Sequence, residues 1–187
     1  MAPDPVSVLL PINRLRRADL PADTVELARF LIGKALIHDL PEGRAAGRIV
    51  ETEAYPVGDA AGHAFRGQTR RNRSLFLAHG HAYVYFSYGC WYCFNVASEA
   101  TGIGGGVLVR AIEPLAGIDQ MAARRGTTRR IDLARGPGRL ATALGIDRRH
   151  DGLDLCDDGP LWLATLTRPT GPIATRPRIG ISREVDR

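Results

Sequence analysis

Three runs rich in Tyr, Val, Phe and Ile follow one another through the middle of the chain, at residues 81–88, 91–98 and 106–113. Gly89 and the glycines at 104, 105 and 106 separate them. β-Branched and aromatic side chains suit a pleated, half-buried surface, and glycine punctuates it with turns. The runs therefore read as neighbouring strands of a mainly antiparallel sheet. Upstream, residues 34–39 and 46–55 read as two more strands around a turn at Pro41, Glu42 and Gly43.

Helices frame this sheet. The first has Pro21 in its opening turn and Asp23 and Glu26 at its positive end. Val25, Leu27, Ala28, Phe30 and Leu31 supply its apolar face, and Gly33 is a natural stop. Short helices are also predicted over 72–78, 114–124 and 138–144, a loop over 56–69, and weak strands over 161–166 and 178–181. The first 20 residues, Pro-rich and irregular, read as a flexible arm. The expected fold is α+β, with residues 1–187 forming a single domain, a length that buries a core without disulfide or metal staples.

The composition narrows the class. With 44% hydrophobic and 24% charged residues, wholesale disorder is excluded. No apolar run approaches the ~20 residues that span a bilayer, so no membrane partner is expected. No basic segment followed by an apolar core opens the chain, so no signal peptide is expected either. Three cysteines do not make a secreted disulfide framework, and a cytoplasmic setting follows.

The formal net charge is +5, and Lys34 is the only lysine, which leaves 24 arginines among the 25 basic residues. Arg66, Arg70, Arg71 and Arg73 fall within eight residues, and Arg124, Arg125, Arg129, Arg130, Arg135 and Arg139 within sixteen. Such clusters suit a polyanion, although a solvated face explains them equally well.

Residues that carry chemistry lie beside these clusters. In residues 47–55, GRIVETEAY, strand alternation puts Glu51, Glu53 and Tyr55 on one face. This is either the wet face of an edge strand or a carboxylate held at a cleft to activate water. Four of the five tyrosines (Tyr83, Tyr85, Tyr88 and Tyr92) crowd into residues 81–98. They serve packing or, next to arginines, a platform on which bases stack. Tyr88, before Gly89, falls at a turn tip. His63 sits in a loop ten residues after Glu53 and matters only if that loop folds back. Cys90 and Cys93 lie three apart on a strand and face opposite ways, so they form neither a redox pair nor a chelate. No metal and no cofactor is expected. Lys34 stands between a helix end and a strand start, a poor place for a Schiff-base amine, which favours direct attack by water over lyase chemistry.

Taken together and in order, GRIVETEAY, the His63 loop, RGQTRRNRSLF, YVYFSYGCWYCFNV, GVLVRAIEPLAG and GPGRLATALGI resemble the alkyladenine (3-methyladenine) DNA glycosylase family. The resemblance runs from about Ala28 to Leu144, with a weaker tail to Ile181. It implies a curved, mainly antiparallel sheet surrounded by short helices. The implied activity is monofunctional removal of alkylated purines flipped out of duplex DNA, a base-excision-repair reaction. The partner would be double-stranded DNA carrying alkylated or deaminated purines, met at the nucleoid by a monomer. By position, Glu53 matches the water-activating base and Arg110 a residue that helps fix the reacting centre. Tyr55, His63 and Tyr85 match the walls around the extruded base, and Asn95 the residue that disfavours the guanine amino group. Tyr88 matches the residue that wedges into the duplex. Arg71, Arg73 and Arg139 would meet the DNA backbone. The alternative is a basic, non-catalytic nucleic-acid-binding module that uses the tyrosines as a stacking platform. Members of the family run past the RIGI-like strand into an aromatic-containing final strand, whereas this sequence stops at Arg187; a missing edge strand would lower stability.

Overall fold

A computed structural model describes residues 13–87 and 89–178. Tyr88 and residues 179–187 lie outside the described residues, as do residues 1–12. Seven strands form one open antiparallel sheet: β1 (Asn13–Arg14), β2 (Ala35–Leu40), β3 (Gly43–Tyr55), β4 (Ala82–Ser87), β5 (Trp91–Ala97), β6 (Gly106–Ala116) and β7 (Leu161–Thr165). Their spatial order is β1-β7-β2-β3-β6-β5-β4. Three helices, α1 (Thr24–Leu31), α2 (Ile118–Arg125) and α3 (Pro137–Leu144), complete the α+β architecture expected from the sequence.

The sheet has two different faces. Ile49, Val84, Phe94, Val96, Val107 and Val109 join Leu27 and Leu31 of α1 and Leu140 and Leu144 of α3 in the main core. Thr52 belongs to this side too, since its hydroxyl donates to Ala28 O at 3.0 Å. Alternation sends Glu51, Glu53 and Tyr55 to the opposite face. A smaller cluster of Ala35, Ile37, Ala46, Ala116, Trp162 and Ala164 lies at the β7-β2 end. α3 presses tightly on β5, because a Cβ at Gly138 would come within 2.9 Å of the Trp91 side chain.

Several expectations change in detail. Asp23 caps α1 by accepting from the amides of Val25 and Glu26, so the helix starts at Thr24 and Pro21 lies ahead of it. Strand β3 begins at Gly43 rather than near residue 46, because pairing with β2 runs back to Leu40↔Gly43. Pro114 belongs to β6, not to a helix; it pairs opposite Gly47 at a register shift, where proline is tolerated in a sheet. Residues 73–76 form a 3₁₀ turn where a helix over 72–78 was expected. The described part of the expected arm is not loose: Leu15 and Leu20 are buried in the core, and Asn13 and Arg14 pair with β7. Arg178 belongs to no strand, and the rest of the strand predicted there lies outside the described residues.

Candidate active site

One row of residues crosses four strands. Glu53 of β3 faces Leu108 of β6, Leu108 faces Asn95 of β5, and Asn95 faces Tyr83 of β4. Directly opposed residues share a face, so these four point the same way. Two residues along, Tyr55 faces Gly106, which has no side chain. The Leu75 side chain fills the place a Cβ would take there, at 2.7 Å, and beside it a cleft opens to solvent. Tyr55, His63, Phe65, Tyr83, Tyr85, Asn95, Gly105 and Gly106 line it, together with Ala61, Gly62, Ala64 and Leu75.

Strand irregularities set the polar end. Ile49 pairs with Ile112, Glu51 with Ala111 and Thr52 with Val109, so Val50 and Arg110 are each left unopposed. Bulges re-aim side chains and bend the strand that carries them. Here the displaced Arg110 reaches both carboxylates. Its Nε donates to Glu51 Oε1 at 3.2 Å, and its Nη1 lies 3.1 Å from Glu53 Oε1. The Tyr55 hydroxyl donates to Glu53 Oε2 at 2.9 Å. Glu53 is 6% exposed, which rules out the wet-edge reading of this strand. Burial, then the Glu53 carboxylate, pushes the Tyr55 phenol well above its ordinary pKa, so it stays a donor at neutral pH.

The far wall is aromatic. Tyr83 and Tyr85 stack with centroids 5.4 Å apart, and the His63 ring meets Tyr85 edge-on at 4.5 Å. The His63 loop does fold back: its Nδ1 shares a 2.9 Å hydrogen bond with the Tyr83 hydroxyl. Burial, then nearby Arg71, holds the His63 pKa below the usual value, so the ring is neutral at pH 7. Burial pushes the Tyr83 phenol up to about 12. Asn95 is fixed by donating from Nδ2 to Tyr83 O at 3.1 Å.

Thus Tyr55, His63, Tyr85 and Asn95 line the cleft, whereas Glu53 and Arg110 are not in its lining and are tied to it through the Tyr55 hydroxyl. Arg71 stands close enough to the cleft wall to act on the His63 and Tyr83 titrations, and its Nη2 reaches Phe86 O at 3.4 Å. Arg73 is exposed on its 3₁₀ turn, and Arg139 lies in the first turn of α3, 4.0 Å from Asp132; neither lines the cleft. The proposed wedge, Tyr88, falls outside the described residues. Sequence reasoning leaves Tyr83 among tyrosines for packing or stacking, without a place in the base pocket, and assigns no role to Asn72, Asp59 and Arg178, which shape the loop side. Lys34 is in the turn between α1 and β2 with its Nζ over the Phe30 ring, outside the cleft lining. Among the described residues no three His, Cys, Asp or Glu converge as a metal site, and no helix is long and apolar enough to cross a membrane.

Comparison with known proteins gives the family. Three bacterial relatives each carry the provisional name 3-methyladenine DNA glycosylase. The Mesorhizobium japonicum protein is 62% identical over 92% of this chain and 83% of its own length. The one from Paraburkholderia phytofirmans is 56% identical over 94% and 83%. That from Chlorobaculum tepidum is 51% identical over 87% and 79%. A family profile described as methylpurine-DNA glycosylase matches residues 18–187, and the chain belongs to that family.

Proposed function

We propose that this DNA glycosylase hydrolyses the N-glycosidic bond of alkylated purines flipped out of duplex DNA, with Glu53 activating the attacking water. One observation carries the reading: a buried carboxylate, gripped on one oxygen by Arg110 and on the other by Tyr55, beside an aromatic cleft.

The charge balance fits the chemistry. Glu51, Glu53 and Arg110 sum to one negative charge. As the bond breaks the sugar becomes oxocarbenium-like, and a fixed negative charge at that point stabilises it. Methylation at purine N3 or N7 makes the base a cation and a good leaving group. Electron-rich Tyr55 and Tyr85 favour such a cation by ~0.5–2 kcal/mol each. A neutral His63 does not repel it. Asn95, fixed by Tyr83 O, faces the purine edge and disfavours the guanine amino group. A base inside the duplex is out of reach, so it must be extruded at a cost of a few kcal/mol. Tyr88 fills the vacated space. Arg71, Arg73 and Arg139 hold the backbone. With Lys34 remote, the product is an abasic site in an intact strand.

The test is base release from duplexes carrying 3-methyladenine, 7-methylguanine, hypoxanthine or ethenoadenine. Glu53→Gln is expected to bind lesion duplex like the parent while its release rate falls by about 10²- to 10⁴-fold. Near-normal turnover in that variant sinks the assignment of Glu53. Strand scission without alkali sinks the hydrolytic mechanism.

A further inference from the structure

The chain after β7 crosses the sheet as an exposed strap. Residues 167–177 are all exposed. Polar contacts hold it: Arg168 Nη1 to the Glu113 carboxylate at 2.9–3.0 Å, Arg48 Nη2 to Pro169 O at 3.0 Å, and the Thr170 hydroxyl to Ile32 O at 3.4 Å. At its far end Arg178 turns inward, and its side chain is only 7% exposed. Hydrophobic burial of the strap does not bring it there, so the destination itself must hold it.

That destination is the back of the Tyr55 ring. The Arg178 guanidinium carbon lies 4.7 Å from the ring centroid. Its Nη1 donates to Ala54 O at 3.1 Å, the carbonyl between Glu53 and Tyr55, and pairs with Asp59. Asp59 is fully buried. Its other oxygen accepts from the Ala61 amide at 2.8 Å, and its backbone accepts from Gly62 N at 2.9 Å, in the loop that leads to His63. Arg178 Nε and Nη2 are buried and meet no acceptor. The ion pair and the ring must offset that cost. The pair is neutral, so it adds no net positive charge beside a cleft proposed to take cationic purines.

We propose that Arg178, delivered by the strap and neutralised by Asp59, is a positioning residue of the base cleft: it fixes the Tyr55 ring and the end of β3 that carries Glu53. This rests on the function proposed above. Misplacing a reacting group by about 1 Å can cost 10²-fold in rate, so a residue behind the wall can matter without touching substrate.

The test uses the full chain and three variants: Arg178→Met, Arg178→Lys, and the double change Asp59→Asn with Arg178→Met. Arg178→Met leaves Asp59 as a buried lone charge and should lower Tm. The double variant removes that charge, so its Tm should recover. Its single-turnover release rate should nonetheless stay about 10- to 100-fold down, with duplex affinity within about twofold of the parent. Arg178→Lys keeps a cation for Asp59 and should regain part of the rate. ¹³C-tyrosine NMR, with Tyr55 assigned by Tyr55→Phe, should show the Tyr55 signal shifted in the double variant. A release rate that recovers with Tm, or an unmoved Tyr55 signal, overturns the proposal. If the parent releases no base from any duplex, the glycosylase mechanism fails instead, and the NMR arm alone decides whether Arg178 holds Tyr55.

Discussion

On the strand side of the cleft, Glu53, Arg110, Asn95 and Tyr85 stand on four paired strands, each fixed by the antiparallel ladder on both sides or by a neighbour in it. On the loop side, the segment that carries His63 and the first arginine cluster hangs largely on Asn72, which is 4% exposed. Asn72 donates to His63 O at 2.8 Å and Gly67 O at 3.1 Å, and its oxygen accepts from the Thr69 amide at 2.6 Å. Bond breaking needs reacting groups held to a fraction of an ångström. Gripping a phosphate backbone needs charge near a surface and tolerates motion. Under the proposed function the rigid part would serve the first task and the loop the second.

The two arginine clusters repeat this contrast. Asn72 satisfies two carbonyls of the first loop, and among the described residues the side chains of Arg66, Arg70 and Arg73 make no hydrogen bond or ion pair, while Arg71 reaches Phe86 O. In the second cluster the arginines do that work themselves. Arg124 donates to Ala143 O at 2.9 Å, Arg125 to Leu133 O at 3.1 Å and Arg130 to Pro114 O at 2.8 Å. A basic run in a sequence thus reports local charge and not whether that charge is available to a partner.

The sharpest way to test the division is Arg110→Leu. It leaves Glu51 and Glu53 facing each other with no cation between them. Base release is expected to fall by about 10²-fold, with duplex affinity unchanged in a filter-binding or anisotropy titration. An equal loss of affinity would mean that the strand side also grips DNA, and the division would break.

Asn72→Ala attacks the other side. It strands two carbonyls that the amide now satisfies, at a cost of about 1–3 kcal/mol where they are buried. Hydrogen exchange should rise across residues 62–72 and stay level in β3 and β6. Base release should drop by about tenfold, mostly through weaker lesion binding. Faster exchange in β3 would show that the two sides are not separable.

The same division explains what could be read from the sequence. Strands β4, β5 and β6 announce themselves by aromatic and β-branched runs between glycines, and alternation alone puts Glu51, Glu53 and Tyr55 together. The first turns of β3 are Gly, Arg and Ala, weak strand formers, so its start is visible only in its pairing with β2. β1 is two residues long and exists because β7 is there to pair with it. His63 joins the site through a loop path that no periodicity encodes. Asp59 and Arg178 are 119 residues apart, joined by a strap with no regular structure, and nothing local marks either one.

A smaller effect separates the arginine clusters. Arg73→Ala should weaken duplex binding several-fold regardless of sequence and reduce the salt slope by about one. Arg130→Ala should leave that slope unchanged and lower Tm by a few degrees, since it deprives Pro114 O of its donor. A changed salt slope for Arg130→Ala would place the second cluster on the DNA as well.

The smallest effects expected are two acid losses, one of stability and one of activity. His38 of β2 is 3% exposed on the helix side, where its Nδ1 lies 2.7 Å from Leu144 O and its Nε2 lies 3.2 Å from His150 Nε2. Burial, with His150 and Arg124 adding to it, lowers its pKa despite the Leu144 bond and nearby Asp39. The folded protein therefore keeps His38 neutral while the unfolded chain protonates near pH 6.5. Its contribution to stability is full above that pH and is lost as the pH falls towards the folded value, at up to ~1.4 kcal/mol per pH unit. His63 is also held neutral, but it sits at the cleft, so its protonation repels a cationic base and costs activity. Thermal melts between pH 7.5 and 5.5 should have a shallower acid slope in both His38→Gln and His63→Gln, since both rings are held neutral by burial. Release of 7-methylguanine, relative to neutral hypoxanthine, should lose its acid decline in His63→Gln alone. If His38→Gln also removes the acid decline of release, the helix side and the loop side are coupled through the sheet, and they are not separable.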